Sequence, residues 1–276
     1  MRRFILRERC IVYSAKFAFC LWLLFLPSAA TAQQSLYAQS IQSALAPTTP
    51  NLEILVLELR THQTLADTFA HPQTPIPIGS LVKPFLAVAY LKTHADSPTI
   101  VCHGHSDRCW KPVGHGSLTL TQAIAQSCNA YFLAIARDIQ PTDIPYLPPP
   151  PPNASPDTLV GLNPSWRISP EALANAYAEL LSSQPPPAIL TGMRDSARRG
   201  TANRIGPHPG GVLAKTGTAP CVDRPCKATG DGLVIAAVPA DHPTLLLLVR
   251  KRATTGAMTA AAANAILTQL ESLHAE

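Results

Sequence analysis

Charge and aromatic side chains are both scarce in these 276 residues. Asp, Glu, Lys and Arg make up 14% and Phe, Trp and Tyr 6%, while apolar residues reach 46%. Little charge beside so much apolar surface excludes a disordered chain, which needs the opposite balance. The apolar stretch Phe17 to Leu26 falls short of the ~20 residues of a comfortable membrane span. No cysteine follows it where a lipid anchor would need one, no Ser/His/Asp triad is evident, and no internal repeat is visible. The length suits one domain, or a domain with a lobe, with ample core.

The apolar stretch has a setting of its own. Arg2, Arg3, Arg7, Arg9 and Lys16 precede it against one acid, Glu8, and Pro27, Ser28 and Ala30-Thr31-Ala32 follow. A basic region, an apolar core and a small-residue exit make a secretory signal peptide, cut after Ala32. The chain thus divides into a signal at 1–32 and a catalytic domain at 33–276, placed in the periplasm or secreted, or membrane-anchored if the signal stays. The signal holds five of the 22 basic residues and one of the 17 acids, leaving 17 and 16 and a net charge of +1. A nearly neutral domain gives no support for a nucleic-acid surface.

Five cysteines remain after cleavage. In an oxidising compartment close pairs usually mean disulfides, so proximity pairs Cys102 with Cys109 and Cys221 with Cys226, leaving Cys128 as a free, packing thiol. The rival reading is a metal site from Cys102, His103, His105, Cys109 and His115. Its spacing fits no standard zinc pattern cleanly, and the expectation is no metal and no cofactor.

Apolar runs at Leu52–Arg60 and Leu65–Phe69 read as strands, Ser80–Thr93 as a helix, and 94–117 as a loop. Short helices at Leu120–Gln126 and Ala130–Ile139 meet at Ser127-Cys128-Asn129. Five prolines, Pro148 to Pro152, mark an extended surface segment. A helix opens at Ser169-Pro170-Glu171 with a capping serine, a first-turn proline and an acid. Three strand-like runs, Gly211–Thr218, Gly232–Val238 and Thr244–Lys251, lead to a helix over Ala257–His274. The order predicts an α+β fold: an antiparallel sheet built from both chain ends, helices on both faces, and an inserted helical lobe.

Three motifs occur in order: Ser80-Leu81-Val82-Lys83, Ser127-Cys128-Asn129 and Lys215-Thr216-Gly217. Spacing of three puts Ser80 and Lys83 on one helix face. A serine hydroxyl is a weak nucleophile, and an amine of depressed pKa can take its proton. Ser127 can relay a proton, and Asn129 can bond Lys83 and a substrate amide. Lys215 supplies charge for a carboxylate, Thr216 a hydroxyl, and Gly217 room for a substrate strand at the sheet edge. The N–H groups of Ser80 and Thr218 can form an oxyanion hole. Each motif alone is weak; the ordered set is strong.

This set, with the strings PIGSLVKPFLAVAYL, GHGSLTLTQAIAQSCNAYF, SPEALANAYAEL, GTANRIG and VLAKTGTA, resembles the transpeptidase domain of penicillin-binding proteins, in the serine β-lactamase/DD-peptidase superfamily. The resemblance spans about residues 50–270 and is to the catalytic domain alone, without a glycosyltransferase or pedestal domain. It implies a Ser80 acyl-enzyme formed from D-Ala-D-Ala stem peptides of peptidoglycan, with β-lactams as inhibitors. Lys83 is then the base, Ser127 and Asn129 assist, and Lys215, Thr216 and Thr218 hold the substrate carboxylate. A short stretch from Asn129 to Lys215 implies a reduced rim, and a cell-wall enzyme is a candidate partner. Two alternatives stay open: a β-lactamase, and a catalytically weak β-lactam sensor or scaffold. Glu171, at superficially suitable spacing for a deacylating acid, reads instead as a helix N-terminal acid, and a class D-like route through a carbamylated Lys83 in an apolar pocket stays open. Trp110 and Trp166 read as buried packing, with cleft lining as the alternative, and His62, His71, His94, His208 and His242 as surface residues.

Overall fold

The computed structural model describes residues 29–48, 51–222 and 230–275. Most of the predicted signal, and Cys226 with its pairing to Cys221, lie outside the described residues. Among the described residues no helix is long and apolar enough to cross a membrane.

The elements run α1 (Ala29–Leu45), β1 (Leu52–Glu58), β2 (Gln63–Asp67), β3 (Ile76–Pro77), a 3₁₀ turn (Gly79–Val82), α2 (Lys83–Thr93), β4 (Ile100–Cys102), β5 (Gly116–Leu118), α3 (Leu120–Ala125), α4 (Asn129–Ile135), α5 (Pro156–Leu159), β6 (Arg167–Ile168), α6 (Pro170–Ser182), α7 (Pro187–Arg199), β7 (Leu213–Ala219), β8 (Asp231–Val238), β9 (Leu245–Lys251) and α8 (Gly256–Ala275). Five strands form an antiparallel sheet in the order β2-β1-β9-β8-β7. The first two strands come from the start of the described chain and the last three from its end, as the sequence predicts.

Both sheet faces are buried, which is why β1, β8 and β9 read as unbroken apolar runs. Alternate residues feed two cores. Ile54, Val56, Val234, Ala236, Leu247 and Val249 pack with Ile41 and Leu45 of α1 and with Ala263, Ile266, Leu267 and Leu270 of α8. Leu55, Leu57, Leu233, Ile235, Leu246 and Leu248 pack with Phe85 and Leu86 of α2 and Leu173 and Tyr177 of α6. The inserted segment supplies the second core, so the helical lobe is welded to the sheet. At about 25 cal/mol per Å², full burial of each such valine, leucine, isoleucine or phenylalanine side chain contributes roughly 1.5–3 kcal/mol.

Three parts of the chain differ from expectation. The 94–117 stretch contains the short hairpin β4–β5. Helix α7 falls in a segment with no assigned element. The Cys102–Cys109 disulfide is not formed: both thiols are free and buried, as is Cys128. Proximity in sequence misled here, because the hairpin turns both sulfurs toward Cys128 and His115, not toward each other alone; all four ligand atoms lie within 4.8 Å of one another.

Candidate active site

Ser80 sits on the 3₁₀ turn ahead of α2, not inside the α-helix. In a 3₁₀ turn residues i and i+3 eclipse, so Ser80 and Lys83 align more closely than α-helical spacing gives. The Lys83 N–H donates to the Ser80 carbonyl, closing the turn. Two further contacts fix it. Gly79 has φ +55°, and a Cβ there would lie 2.6 Å from the Thr218 carbonyl oxygen. The buried Tyr177 hydroxyl donates to the Leu81 carbonyl at 2.6 Å, with its ring edge-on to Phe85 at 4.8 Å.

The second motif is a helix stop. Helix α3 opens with a capping box between Thr119 and Gln122. It closes with Ser127 N–H on the Ile124 carbonyl at 3.2 Å and Cys128 N–H on the Ala123 carbonyl at 3.0 Å. These are the paired bonds of a Schellman motif, whose C′ residue takes the left-handed conformation, usually as glycine. Ser127 takes it here, at φ +50°, at a cost of roughly 1–2 kcal/mol. The strained turn presents both its carbonyl and its hydroxyl to lysines.

Lys83 Nζ donates to the Ser127 carbonyl at 2.9 Å and to Asn129 Oδ1 at 2.6 Å. Lys215 Nζ donates to Ser127 Oγ at 2.7 Å and to the Thr216 carbonyl at 2.7 Å. Both lysines are fully buried. Burial pushes the Lys83 ammonium down to about 8, and burial together with the Lys83 charge pushes Lys215 well below its ordinary value. No carboxylate offsets either ammonium in these contacts; serine and asparagine oxygens and backbone carbonyls do. That is the environment in which a lysine acts as a base near neutral pH.

The cleft, of about 430 Å³, is lined by Ser80, Ser127, Asn129, Thr216 and Thr218, together with Trp110, Leu162, Thr201, Thr255 and Ala257. The structure thus brings all three motifs to one cavity. Thr216 Oγ1 donates to Thr201 Oγ1 at 2.6 Å, and Gly256 N–H at the start of α8 donates to Thr218 Oγ1 at 3.0 Å. β7 is an edge strand. The Thr218 carbonyl lies against Gly79, and in an extended strand a residue's N–H and C=O point to the same side. The Thr218 N–H therefore faces the free edge beside Ser80, where an oxyanion donor belongs.

Four residues occupy places other than those the sequence favoured. A Cβ on Gly217 would meet the Ile78 carbonyl oxygen at 2.9 Å and Leu81 Cγ at 3.0 Å. Its bareness seats the Ser80 turn against the sheet. Lys215 lies behind Ser127 instead of lining the cleft. Trp110 is 51% exposed at the cleft mouth, not buried, and its Nε1 donates to the Gln126 carbonyl at 3.1 Å; Trp166 is buried and donates to the Pro148 carbonyl at 3.2 Å, pinning the proline run. The His208 side chain is buried between Glu271 and Asn264, not at the surface. Thr201 was legible only as part of the GTANRIG string. Glu171 lies outside the cleft lining, in the first turn of α6, where Gln73 donates to its carboxylate.

No protein-family model matches the chain, and no curated protein matches it in sequence. Solved structures do. The transpeptidase domain of Burkholderia pseudomallei penicillin-binding protein 3 superposes with a TM-score of 0.65 at 18% identity, over 88% of this chain and 95% of that one. Pseudomonas aeruginosa penicillin-binding protein 2, solved in complex with WCK 5153, gives a TM-score of 0.67 at 17% identity, over 87% and 74%. Helicobacter pylori penicillin-binding protein 2, solved in complex with MreC, gives 0.66 at 16% identity, over 86% and 62%. The chain has the fold of the penicillin-binding transpeptidase domains.

Proposed function

We propose that this chain is a penicillin-binding serine acyltransferase that acts outside the cytoplasm on the D-Ala-D-Ala ends of peptidoglycan stem peptides. The observation that carries the reading is Ser127 held between Lys83 and Lys215 at the wall of the cleft that Ser80 lines.

In the proposed cycle neutral Lys83 accepts the Ser80 proton as Oγ attacks the penultimate D-Ala carbonyl. The developing oxyanion is met by the Ser80 and Thr218 N–H groups. The C–N bond breaks as Ser127, polarised by Lys215, gives its hydroxyl proton to the departing D-alanine nitrogen and is reprotonated by the Lys83 ammonium, which returns Lys83 to its neutral form. Water or an amine then takes the acyl group from Ser80, giving carboxypeptidase or transpeptidase chemistry. The substrate carboxylate falls to the hydroxyls of Thr201, Thr216 and Thr218. A β-lactam places its ring carbonyl and carboxylate at the same points, which supports β-lactams as inhibitors.

Deacylation separates this reading from a β-lactamase. Glu171, the one acid with suitable spacing, stands outside the cleft and is tied to Gln73. Among the described residues no acid lines the cleft, which supports a β-lactam adduct that persists. One similar protein was solved in complex with MreC, which supports a cell-wall protein as partner here too. Fluorescent-penicillin labelling followed over hours tests the function: a persistent adduct upholds it, an adduct rapidly lost makes the chain a β-lactamase, and no adduct makes it a scaffold.

A further inference from the structure

The described residues hold a second cluster of reactive side chains, directly behind the active site. Cys102 ends β4, Cys109 follows the turn at Gly104–Asp107, His115 precedes β5, and Cys128 is the middle residue of Ser127-Cys128-Asn129. The three sulfurs are buried and none is in a disulfide. His115 Nδ1 lies 3.6 Å from Cys102 Sγ and 3.5 Å from Cys109 Sγ. Cys109 Sγ lies 3.8 Å from Cys128 Sγ.

We infer that Cys102, Cys109, His115 and Cys128 form a tetrahedral site for a zinc-class metal ion, which locks the second catalytic motif to the rim of the cleft. The distances carry it. Zinc bonds of about 2.3 Å to sulfur and about 2.0–2.1 Å to nitrogen, at tetrahedral angles, place sulfurs about 3.8 Å apart and sulfur and nitrogen about 3.6 Å apart. The Cys109–Cys128 sulfur separation of 3.8 Å and the His115 Nδ1 separations of 3.5 and 3.6 Å match these values, and all four ligand atoms lie within 4.8 Å of one another. A disulfide needs about 2.05 Å, and the Cys109 and Cys128 sulfurs stand nearly twice as far apart. One imidazole and three thiolates are a soft donor set that selects zinc over calcium or magnesium. Four protein ligands close the coordination shell, so the site is structural and not catalytic.

The backbone is wound to converge these ligands. Cys109 N–H donates to the Gly104 carbonyl at 2.9 Å and His105 N–H to the Pro112 carbonyl at 3.2 Å. A Cβ on Gly114 would lie 2.1 Å from the Cys102 carbonyl oxygen, and its φ is +79°. His103 and His105 stand outside the cluster; His103 is exposed and pairs with Asp107. The loop bearing Cys109 and His115 also carries Trp110, whose ring meets His115 edge-on at 5.3 Å, and Arg108, whose carbonyl accepts from Asn129 Nδ2 at 3.3 Å. A bound ion therefore ties Trp110, Asn129 and the strained Ser127 turn into one rigid body.

The test is metal analysis of the full mature chain, purified without chelator, with thiols titrated before and after a mercurial. The expected result is about one zinc per chain, three thiols shielded until the metal leaves, and a Tm lower by roughly 10 °C once it is stripped. Cobalt exchange gives thiolate charge-transfer bands and the strong visible bands of a tetrahedral site. Cys102→Ser and His115→Ala each cut retained zinc several-fold. A folded chain that binds neither zinc nor cobalt, or one with Cys109 joined to Cys128 in a disulfide, overturns the inference. These readouts are independent of the proposed acyltransfer: a chain that holds zinc and takes no penicillin upholds the one and rejects the other.

Discussion

Lys215 Nζ donates to Ser127 Oγ at 2.7 Å from inside the protein, with no part of its side chain exposed. Its two hydrogen-bond partners, the Ser127 hydroxyl and the carbonyl of Thr216, both belong to residues that line the cleft, and the proposed role of Lys215 is to set them. Lys215→Ala is expected to slow acylation by about 10²-fold or more, with little saving from raised ligand concentration. Stopped-flow acylation by a chromogenic β-lactam separates the rate at saturation from the apparent affinity. A change confined to affinity would return Lys215 to direct carboxylate binding.

Lys83 gives the pH dependence a sign. Burial lowers its pKa to about 8, and only the neutral amine accepts the Ser80 proton. The acylation rate is expected to rise with pH and level off above about 8, falling roughly tenfold per unit below that. Second-order acylation rates between about pH 6 and pH 9 check this. A flat profile contradicts the assigned base.

Gly217→Ala is expected to damage a site it does not line. The added methyl meets the Ile78 carbonyl oxygen and Leu81, pushing the Ser80 turn off β7. Overpacking of this kind costs about 1–3 kcal/mol. Thermal unfolding and acylation should fall together. Wild-type stability with weakened substrate binding would favour the substrate-strand role that the sequence suggested.

Tyr177→Phe removes the donor to the Leu81 carbonyl and leaves a buried acceptor unpaired in the nucleophile's turn. The expected loss is about 1–2 kcal/mol, read as a Tm lower by roughly 2–8 °C. An unchanged Tm would mean that Leu81 finds another partner.

The sheet was legible because burial on both faces leaves continuous apolar runs such as Leu52–Leu57 and Leu245–Val249, bounded by turn residues. The three motifs were legible because each is local, Ser80 with Lys83 and Lys215 with Thr216. What sequence could not give is what depends on chain reversal. The β4–β5 hairpin carries Cys102 and Cys109 past one another toward Cys128, so nearness in sequence suggested a bond that the fold does not make. Sequence left Trp110 between core and cleft and favoured core because tryptophan usually is; its place at the cleft mouth follows from the same hairpin. Gly217 was assigned to the substrate because an edge strand offers two sides, and only the packed Ile78 and Leu81 show which side its missing side chain would occupy.

The most direct test of the central claim is peptide mapping by mass spectrometry after benzylpenicillin treatment of the purified chain. The account predicts one penicilloyl group per chain, on the peptide containing Ser80, persisting for hours and absent from Ser80→Ala. An adduct on any other residue, or one retained in Ser80→Ala, would contradict it.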